Sequence, residues 1–571
     1  MRARVTRQRA GGRGQCNHIA LIENGGGQIA ATSMSDQSPP TTESDATPMH
    51  VLEPHVPLAQ SMVWRLQRTF YGDQGIAAWS RSRVPQAVTT SPIIARAYAR
   101  VVLGFWRDMQ ADLDPTQPLY IVELGAGSGR FAFRFLKAMT ALLQNIAEPK
   151  RPRFVYVMTD ASPPIVEFWR ANPRLRPFVD AGVLDFANFD LVSLAPPTLV
   201  NSGTTLRVGE VTNPIAVIGN YIFDSIPQDA ITIKSGQVFA SLVSVGASTP
   251  DLDLRAPDST VKISVSFATD DVAIASGAEP DPVLRHILDG YRQRLDDTTL
   301  LIPRAAIAGI RYFRELAGGR ALWLIGDFGD TREEDLQGHG PPGFGAGGGL
   351  WLPVNFHALG EYARGMGGRA RHPRHRHVTL NISMLLFGVL GASPSEAELA
   401  YEDTIDQHGP DELSMLARSL AEHLPKLKLD AVLAVLRTTG WDSDYVVRFV
   451  PFLIEALPEA SERLRQEIRH GIQQTWDQYY PIGEPDDLPF GLGVLLHALE
   501  QYPEALEFFA RSLEEFGEDP RTTLNIALTL YRLNRLPETL NWLDRTLALD
   551  PTNEYAGAMR PSVAAEIPEG S

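Results

Sequence analysis

A glycine-rich turn between an apolar segment and an amphipathic one constrains this chain more than any other feature. The segment YIVELGAGSGRFAFRFL, residues 120–136, places Gly125, Gly127 and Gly129 at alternate positions. The run before the glycines predicts a buried strand, and the periodicity after them predicts a helix. In that context glycines let a ligand approach the backbone, beside the unpaired N–H groups of the helix N-terminus. The segment therefore predicts a ligand-binding turn at the end of a buried strand.

The spacing of the glycines distinguishes two classes of ligand. A dinucleotide site has the pattern G-x-G-x-x-G, but its third glycine would fall at Arg130. The pattern from Glu123 to Gly129 is E-x-G-x-G-x-G, which resembles the first motif of class I S-adenosylmethionine (SAM) methyltransferases. SAM has no pyrophosphate to neutralise, so its site needs a close backbone and well-placed acids. The resemblance implies cofactor contacts along the turn, at Gly125, Ala126, Gly127 and Gly129.

Three acids are candidates to hold this cofactor. Glu123 ends the first strand, where its carboxylate could face the methionine ammonium group. Asp160 ends a second strand, RFVYVMTD, where an acid can accept both ribose hydroxyls. Asp185, in GVLDFA after a third expected strand, is a candidate for the adenine amino group. A turn that needs glycine only for packing is the alternative, which the strand–turn–helix context and the second acid disfavour.

The order of apolar segments predicts an α/β fold. Strands are expected in LYIVELG, RFVYVMTD and AVIGNYIFDSIP, with helices in RFAFRFLKAMTALLQ and PIVEFWRAN between them. This alternation predicts a Rossmann-like, mainly parallel sheet with helices on both faces. Upstream, Thr90 or Ser91 can cap a helix that has Pro92 in its first turn.

Length and composition divide the 571 residues into several regions, because the chain is too long for one core. The expected regions are a disordered tail (1–55), a methyltransferase domain (56–392) with a flexible Gly-rich loop (335–350), a helical region (393–488), two repeats (489–560) and a final tail (561–571). The first tail has too little apolar surface to fold. Its arginines could instead form a mitochondrial transit segment, or the true start could be Met34 or Met62.

The repeats lie near the end of the chain. YPEALEFFARSL from Tyr502 and LPETLNWLDRTL from Leu536 are offset by 34 residues, which is the tetratricopeptide period. Pro503 and Pro537 each occupy the expected first turn of a helix. Tetratricopeptide-like stacks form grooves that bind peptides, so a protein or peptide substrate is the expected partner.

Composition disfavours several other classes of function. A formal charge of −16 argues against a nucleic-acid partner, and no window approaches the roughly 20 apolar residues that span a membrane. The single cysteine, Cys16, excludes intrachain disulfides and favours a reducing, cytoplasmic location. His372, His375 and His377 fit no helical ligand set, so we expect a solvated basic loop and no metal site. The oligomeric state is left open.

The segment VIGNYIFDSIPQDA, residues 217–230, is the second candidate constellation. In class I methyltransferases the loop after the fourth strand faces the reactive methyl group, which implies catalytic roles for Asn220, Tyr221 and Asp224, and a contact with the cofactor for Asn220 as well. Methyl transfer is an in-line displacement, so the enzyme mainly aligns the nucleophile and accepts its proton. An Asp or Asn oxygen could hold an amine or guanidinium, and an aromatic face could steady a cation. The alternative is a buried strand end with a capped turn.

Four segments together resemble the MidA-like methyltransferase family: ELGAGSGRF, TDASP, GNYIFDSIP and the stretch from WLIGDFGD to GMGG. That family includes the mitochondrial complex I assembly factor that methylates a protein arginine. The resemblance covers about residues 70–390. The family's hallmark motifs are roughly N-E-F-F-D-x-L-P, then D-Y-G, a His and V-x-F. The matching positions here are Asn220, Asp224, Pro227, Asp327, Gly329, His339, Val354 and Phe356. His339 could be a substrate-side base or an anchor of the Gly-rich loop.

One departure from the family concerns the substrate. The family's Glu after Asn is Tyr221 here, and protein arginine methylation normally uses carboxylates to hold the guanidinium. We expect a SAM-dependent methyltransferase acting on a protein recruited by the repeats. The alternatives are a small-molecule methyltransferase whose repeats serve oligomerisation, and an inactive SAM-binding scaffold. Residues 240–280 could form an added strand pair or a substrate-selecting insertion.

Overall fold

A computed structural model describes residues 50–567 except 82, 83, 85, 87, 147–150, 250, 254–261, 276, 347–349, 377–379, 390, 392, 393, 408, 410, 411, 414, 417, 418, 421, 422, 424 and 425. The chain divides into two compact units between Gln501 and Tyr502. The tail prediction for residues 1–49, with Cys16 and Met34, lies outside the described residues, as does His377.

Sixteen strands are described. In chain order they are β1 (His50–Pro57), β2 (Leu119–Leu124), β3 (Phe154–Asp160), β4 (Leu184–Asn188), β5 (Ile215–Asn220), β6 (Asp229–Lys234), β7 (Gln237–Ala247), β8 (Ile263–Ala273), β9 (Thr298–Ile302), β10 (Ala321–Asp327), β11 (Gly329–Asp330), β12 (Gly345–Ala346), β13 (Leu350–Trp351), β14 (Val354–Asn355), β15 (Arg369–Arg371) and β16 (Asn381–Leu386).

The described helices are listed here in chain order. They are α1 (Met62–Gln74), α2 (Ala77–Ser80), α3 (Pro92–Asp108), α4 (Arg130–Gln144), α5 (Pro163–Ala171), α6 (Arg176–Asp180), α7 (Pro282–Arg294), α8 (Arg304–Leu316), α9 (Phe356–Gly365), α10 (Glu396–Tyr401), α11 (Leu429–Thr438), α12 (Ser443–Ala456), α13 (Glu462–Gln478), α14 (Leu488–Ala498), α15 (Tyr502–Phe516), α16 (Pro520–Arg532), α17 (Leu536–Leu549) and α18 (Glu554–Glu566). None of the described helices is long and apolar enough to cross a membrane.

The central sheet of the first unit has seven strands in the order β15-β16-β10-β5-β2-β3-β4. The strands from β10 to β4 pair in parallel, and β16 is antiparallel to β10. Alternate side chains face opposite layers, because Ile121 packs with helices α3 and α4 while Val122 packs with α8 and α9. The predicted Rossmann-like sheet with helices on both faces is confirmed.

A second sheet of the same unit contains β1, β7, β6 and β9 in that order, with β8 paired to β7. The segment 240–280 therefore forms a strand pair, β7 with β8. Strand β1 corrects the predicted tail boundary at residue 55, since it starts at His50 and pairs with β7. Its residues Leu52 and Val56 pack against an apolar cluster that contains Val243 and Val245 of β7. The sequence pattern missed this strand because most of its residues are exposed.

The segment between residues 429 and 484 packs against the layer of the central sheet that contains α3 and α4. Arg134 of α4 is fully buried and forms an ion pair with Asp442 at 2.7 Å. Tyr480 and Ile482 belong to the same apolar cluster as α3 and α4. The predicted boundary at residue 392 therefore does not separate two cores.

The Gly-rich loop predicted at 335–350 has local structure in its described part. Strand β12 pairs with β13, and the Phe344 ring stacks on Phe267 with ring centres 6.1 Å apart.

The second unit consists of helices in its described residues. Helices α16, α17 and α18 bury a small apolar cluster that includes Leu524, Leu543 and Val563. Helix α18 extends past the predicted end of the repeats at residue 560, because Val563 faces this cluster. The identification of these helices as tetratricopeptide-like repeats stays a prediction.

Candidate functional site

The glycine turn connects β2 to α4, as the sequence predicts. All three glycines have positive φ, +58° at Gly125, +50° at Gly127 and +81° at Gly129, a region that side chains rarely adopt. The turn is tied to β3, because Ala126 N donates to Thr159 O at 2.9 Å. Its conformation therefore requires glycine for backbone reasons, whatever lies above it.

Each glycine also faces a neighbouring side chain. A β-carbon at Gly125 would lie 2.9 Å from Ile222 Cδ1. A β-carbon at Gly129 would lie 2.9 Å from the Tyr480 hydroxyl and 3.1 Å from Trp169 Cδ1. Gly129 does not line the cavity described below, which corrects its assignment as a cofactor contact. It is needed for the packing at the start of α4.

A cavity of about 280 Å³ opens at the carboxyl ends of the parallel strands. This is where ligands bind in open α/β sheets. It brings together most of the residues predicted from sequence, namely Glu123, Gly125, Ala126, Gly127, Asp160, Asn220 and Tyr221.

Two of the three acids predicted to hold SAM, Glu123 and Asp160, reach this cavity. Glu123 is buried and accepts a hydrogen bond from the Tyr156 hydroxyl at 2.9 Å. Burial raises the pKa of Glu123 to about 8. Asp160 accepts from Gly127 N at 3.3 Å and from Ser162 N at 2.9 Å, and burial raises its pKa to about 6. A cationic ligand would favour the charged form of both.

Asn220 and Tyr221 stand at the end of β5. The Tyr98 hydroxyl donates to Asn220 Oδ1 at 2.9 Å, and Asn220 Nδ2 is buried with no partner among the described residues. Gly326 makes room for the hydrogen bond between Tyr98 and Asn220, since a β-carbon at Gly326 would overlap Asn220 Oδ1. Tyr221 has φ +50°, and its N–H donates to Gly326 O at 2.7 Å. Left-handed backbone at a bulky residue is strained, and such strain clusters at functional sites.

Asp224 lies below the cavity and not on its wall. Its carboxylate accepts from the Ser225 hydroxyl at 2.6 Å, and Ser225 does face the cavity. Burial raises the pKa of Asp224 to about 7. Asp327 accepts from the backbone N–H groups of Phe223 and Asp224, so it holds the turn in place. The direct catalytic contact predicted for Asp224 is corrected to an indirect position behind Ser225.

Asp185 and His339 lie outside the cavity. Asp185 is buried within β4, and its oxygens accept from the N–H groups of Phe186, Asn201 and Ser202. These bonds leave it no role at an adenine ring, which corrects that prediction. His339 lies beside Asp330, 3.9 Å away, in a separate depression. Its backbone pairs with Thr298 and Thr299, which favours the anchoring alternative over the base.

Sequence reasoning missed the wall that α1 and α2 contribute. Tyr71 stacks on Trp79 with ring centres 5.7 Å apart, and both rings line the cavity with Trp64. Gln86, in the following loop, accepts from the Ser128 hydroxyl at 2.7 Å. The segment WRLQRTFYGDQGIAAW, residues 64–79, is rich in aromatic residues, which could have suggested such a wall. No spacing rule, however, links these residues to the glycine turn.

Three observations indicate that the cavity fits SAM. Two glycines of the turn, Gly125 and Gly127, line it, two acids on neighbouring strands reach it, and Asn220 Nδ2 is a buried donor without a partner among the described residues. The residues that would hold the cofactor are Glu123, Gly125, Ala126, Gly127, Asp160 and Asn220. No cluster of metal-binding side chains occurs among the described residues.

Comparison with known proteins identifies the class. Residues 97–341 match the model of a family described as S-adenosyl-L-methionine-dependent methyltransferase. The match contains the glycine turn, Asp160 and the segment from Asn220 to Asp224, but neither α1 nor the helices after residue 341. No curated protein has a significant match to the chain.

Several solved structures are similar. An uncharacterized protein from Burkholderia thailandensis has 17% identity and a TM-score of 0.37, covering 60% of this chain and 90% of its own. A superfamily member from the same organism, bound to S-adenosyl-homocysteine, has 16% identity, the same coverage and a TM-score of 0.37. The magnesium protoporphyrin IX methyltransferase of Synechocystis PCC 6803 has 11% identity and a TM-score of 0.26, covering 57% of this chain and 99% of its own.

The fold and the cavity define an α/β protein with a ligand site at the carboxyl edge of its sheet. With the family match, the protein is a SAM-dependent methyltransferase, and SAM is its cofactor.

Proposed function

We propose that this methyltransferase is MidA-like, acts on a protein side chain, and recruits that protein through its C-terminal helices. The observation that carries the proposal is the repeat. Helices α15 and α17 start at Tyr502 and Leu536, 34 residues apart, each with proline as its second residue. Stacked helix pairs of this period bind peptides, and such binding raises the concentration of substrate at a linked catalytic site.

The MidA-like assignment is supported by the contact between two of the motifs that carry the resemblance. Asp327, from the D-Y-G-like motif, accepts from the N–H of Asp224, from the N-E-F-F-D-like motif, at 3.1 Å. The second carboxylate oxygen of Asp327 accepts from Phe328 N at 2.9 Å. Both motifs therefore shape the one turn that follows Tyr221.

The chain's own residues suggest how the transfer is assisted. Bound SAM supplies a methyl group on a cationic sulfonium. Asn220 and Tyr221 align the acceptor at the end of β5, since alignment is the enzyme's main contribution to such a displacement. The proton that the acceptor loses can pass through the Ser225 hydroxyl to Asp224, whose raised pKa of about 7 suits a proton acceptor at neutral pH.

Transfer of a tritiated methyl group tests the proposal. The full-length protein is incubated with labelled SAM and a heat-treated cell extract, and Asp160→Asn serves as the control that lacks a cofactor ligand. We expect label in the acid-precipitated protein fraction with the wild type only. Label confined to the acid-soluble fraction would contradict a protein acceptor. S-adenosylhomocysteine binding without any transfer would instead favour the scaffold alternative.

A small-molecule acceptor is the second candidate, and one observation favours it. The aromatic wall of Trp64, Tyr71 and Trp79 covers the cavity from α1 and α2, which suits a small apolar acceptor. Tyr221→Glu separates the two, because it restores the family's carboxylate. Gained methylation of arginine-containing peptides would support a protein enzyme, whereas no gain would favour the small-molecule candidate.

A further inference from the structure

Ser162 has an unused hydroxyl at the edge of the cofactor cavity. It is the N-cap residue of α5, yet its side chain makes no capping hydrogen bond. The residue is 7% exposed and lines the cavity. Its Oγ is buried and has no hydrogen-bond partner in the described part of the chain.

The sequence explains why this serine does not cap its helix. An N-cap oxygen normally accepts from the N–H of the second or third helical residue. Ser91, in the related sequence SPII, accepts from Ile93 N at 3.2 Å. In SPPI the equivalent donor is removed, because Pro164 has no N–H, and Ile165 N already donates to the Ser162 carbonyl at 3.1 Å. The second proline therefore leaves the hydroxyl of Ser162 available.

The backbone of Ser162 is tied to Asp160, which lines the same cavity. Its N–H donates to Asp160 Oδ1, while Gly127 N donates to Asp160 Oδ2. Hydrogen bonds thus join the glycine turn, Asp160 and Ser162. A buried polar group without a partner is costly, and a bound ligand can supply the missing partner.

We infer that the Ser162 hydroxyl hydrogen bonds to the bound cofactor on the Asp160 side of the cavity. Ser162 is then a cofactor-binding residue in addition to Glu123, Gly125, Ala126, Gly127, Asp160 and Asn220. The inference rests on SAM binding and not on the nature of the acceptor.

Binding of S-adenosylhomocysteine by calorimetry, combined with thermal unfolding of the ligand-free protein, tests the inference. Ser162→Ala should weaken binding about threefold to tenfold, the usual effect of one neutral hydrogen bond, without lowering the unfolding temperature. Ser162→Gly removes the same hydroxyl and keeps a residue that N-caps tolerate, so it should show the same loss of affinity.

Ser395→Ala is the matched control. Ser395 is also an N-cap serine and is 8% exposed, but it accepts from Glu398 N in a complete capping box. Its substitution should lower the unfolding temperature and leave S-adenosylhomocysteine affinity unchanged. Unchanged affinity in both Ser162 variants would overturn the inference. A wild type that does not bind S-adenosylhomocysteine would overturn it together with the cofactor assignment.

Discussion

The indole ring of Trp79 lies directly on the backbone of Gly127, so that a β-carbon on this glycine would be 2.7 Å from Trp79 Cζ2. Trp79 comes from the short helix α2, before the matched residues 97–341. The glycine turn is therefore completed by a side chain from outside the recognised motif. Gly127 is required for the approach of this ring as well as for the positive φ of the turn.

Gly127→Ala tests this relationship. We expect the free energy of unfolding to fall by about 1–3 kcal/mol, because alanine is strained at φ +50° and its methyl group meets the indole. Adding Trp79→Val should recover part of the loss, since it removes the ring. Urea denaturation of the two single variants and the double variant measures the coupling. Additive losses would contradict a direct contact.

Asp160→Asn should weaken S-adenosylhomocysteine binding about tenfold or more, because the charged acceptor at the end of β3 is lost. Asp185→Asn is the contrasting variant. Asp185 accepts from Asn201 N and Ser202 N, so its substitution should reduce stability and leave affinity unchanged. Calorimetry with thermal unfolding distinguishes the two roles, and a tenfold loss of affinity in Asp185→Asn would restore the adenine prediction.

The buried carboxyl of Glu123 should make the ligand-free protein less stable as the pH rises. Its pKa is raised from 4.5 to about 8, so the folded state keeps a proton that the unfolded state releases. Between these values the folded state binds more protons, and the free energy of unfolding falls by up to about 1.4 kcal/mol per pH unit. Glu123→Gln should flatten this slope between pH 5 and 8 in urea denaturation.

Burial also raises the pKa of Asp160 to about 6 and that of Asp224 to about 7. Both carboxyls therefore also lower the free energy of unfolding as the pH rises, and part of the slope remains in Glu123→Gln. Glu167→Gln, which changes an exposed partner of Arg170, is the control and should keep the wild-type slope. Equal slopes in wild type and Glu123→Gln would show that Glu123 does not hold the extra proton.

Local patterns predicted features that depend on a short stretch of chain, such as a strand end, a turn or a helix start. The glycine turn, Asp160 and the Ser91 cap are of this kind, because short-range backbone geometry decides them. Asp185 was misassigned because its partners, Asn201 and Ser202, return from a turn that local pattern does not reveal.

Contacts between residues that are distant in the sequence could not be predicted from local patterns. Trp79 and Tyr480 reach the turn from segments on either side of the matched region. No periodicity in the sequence connects them to glycines. The mainly parallel sheet with helices on both faces was predictable because strands and helices alternate along the chain, whereas the aromatic wall depends on where α1 packs.

The buried ion pair between Arg134 and Asp442 gives the strongest prediction about the helical region. Arg134 belongs to α4, directly after the glycine turn, and both side chains are almost fully buried. Asp442→Ala would leave a buried guanidinium without its carboxylate, which typically costs about 3–5 kcal/mol. The double variant Arg134→Met/Asp442→Leu should lose less than Asp442→Ala, because no unpaired charge remains. Asp180→Ala, which breaks the exposed pair with Arg176, should cost less than about 1 kcal/mol. Urea denaturation measures all three, and a small loss in Asp442→Ala would mean that residues 429–484 are not an integral part of the fold that carries the cofactor turn.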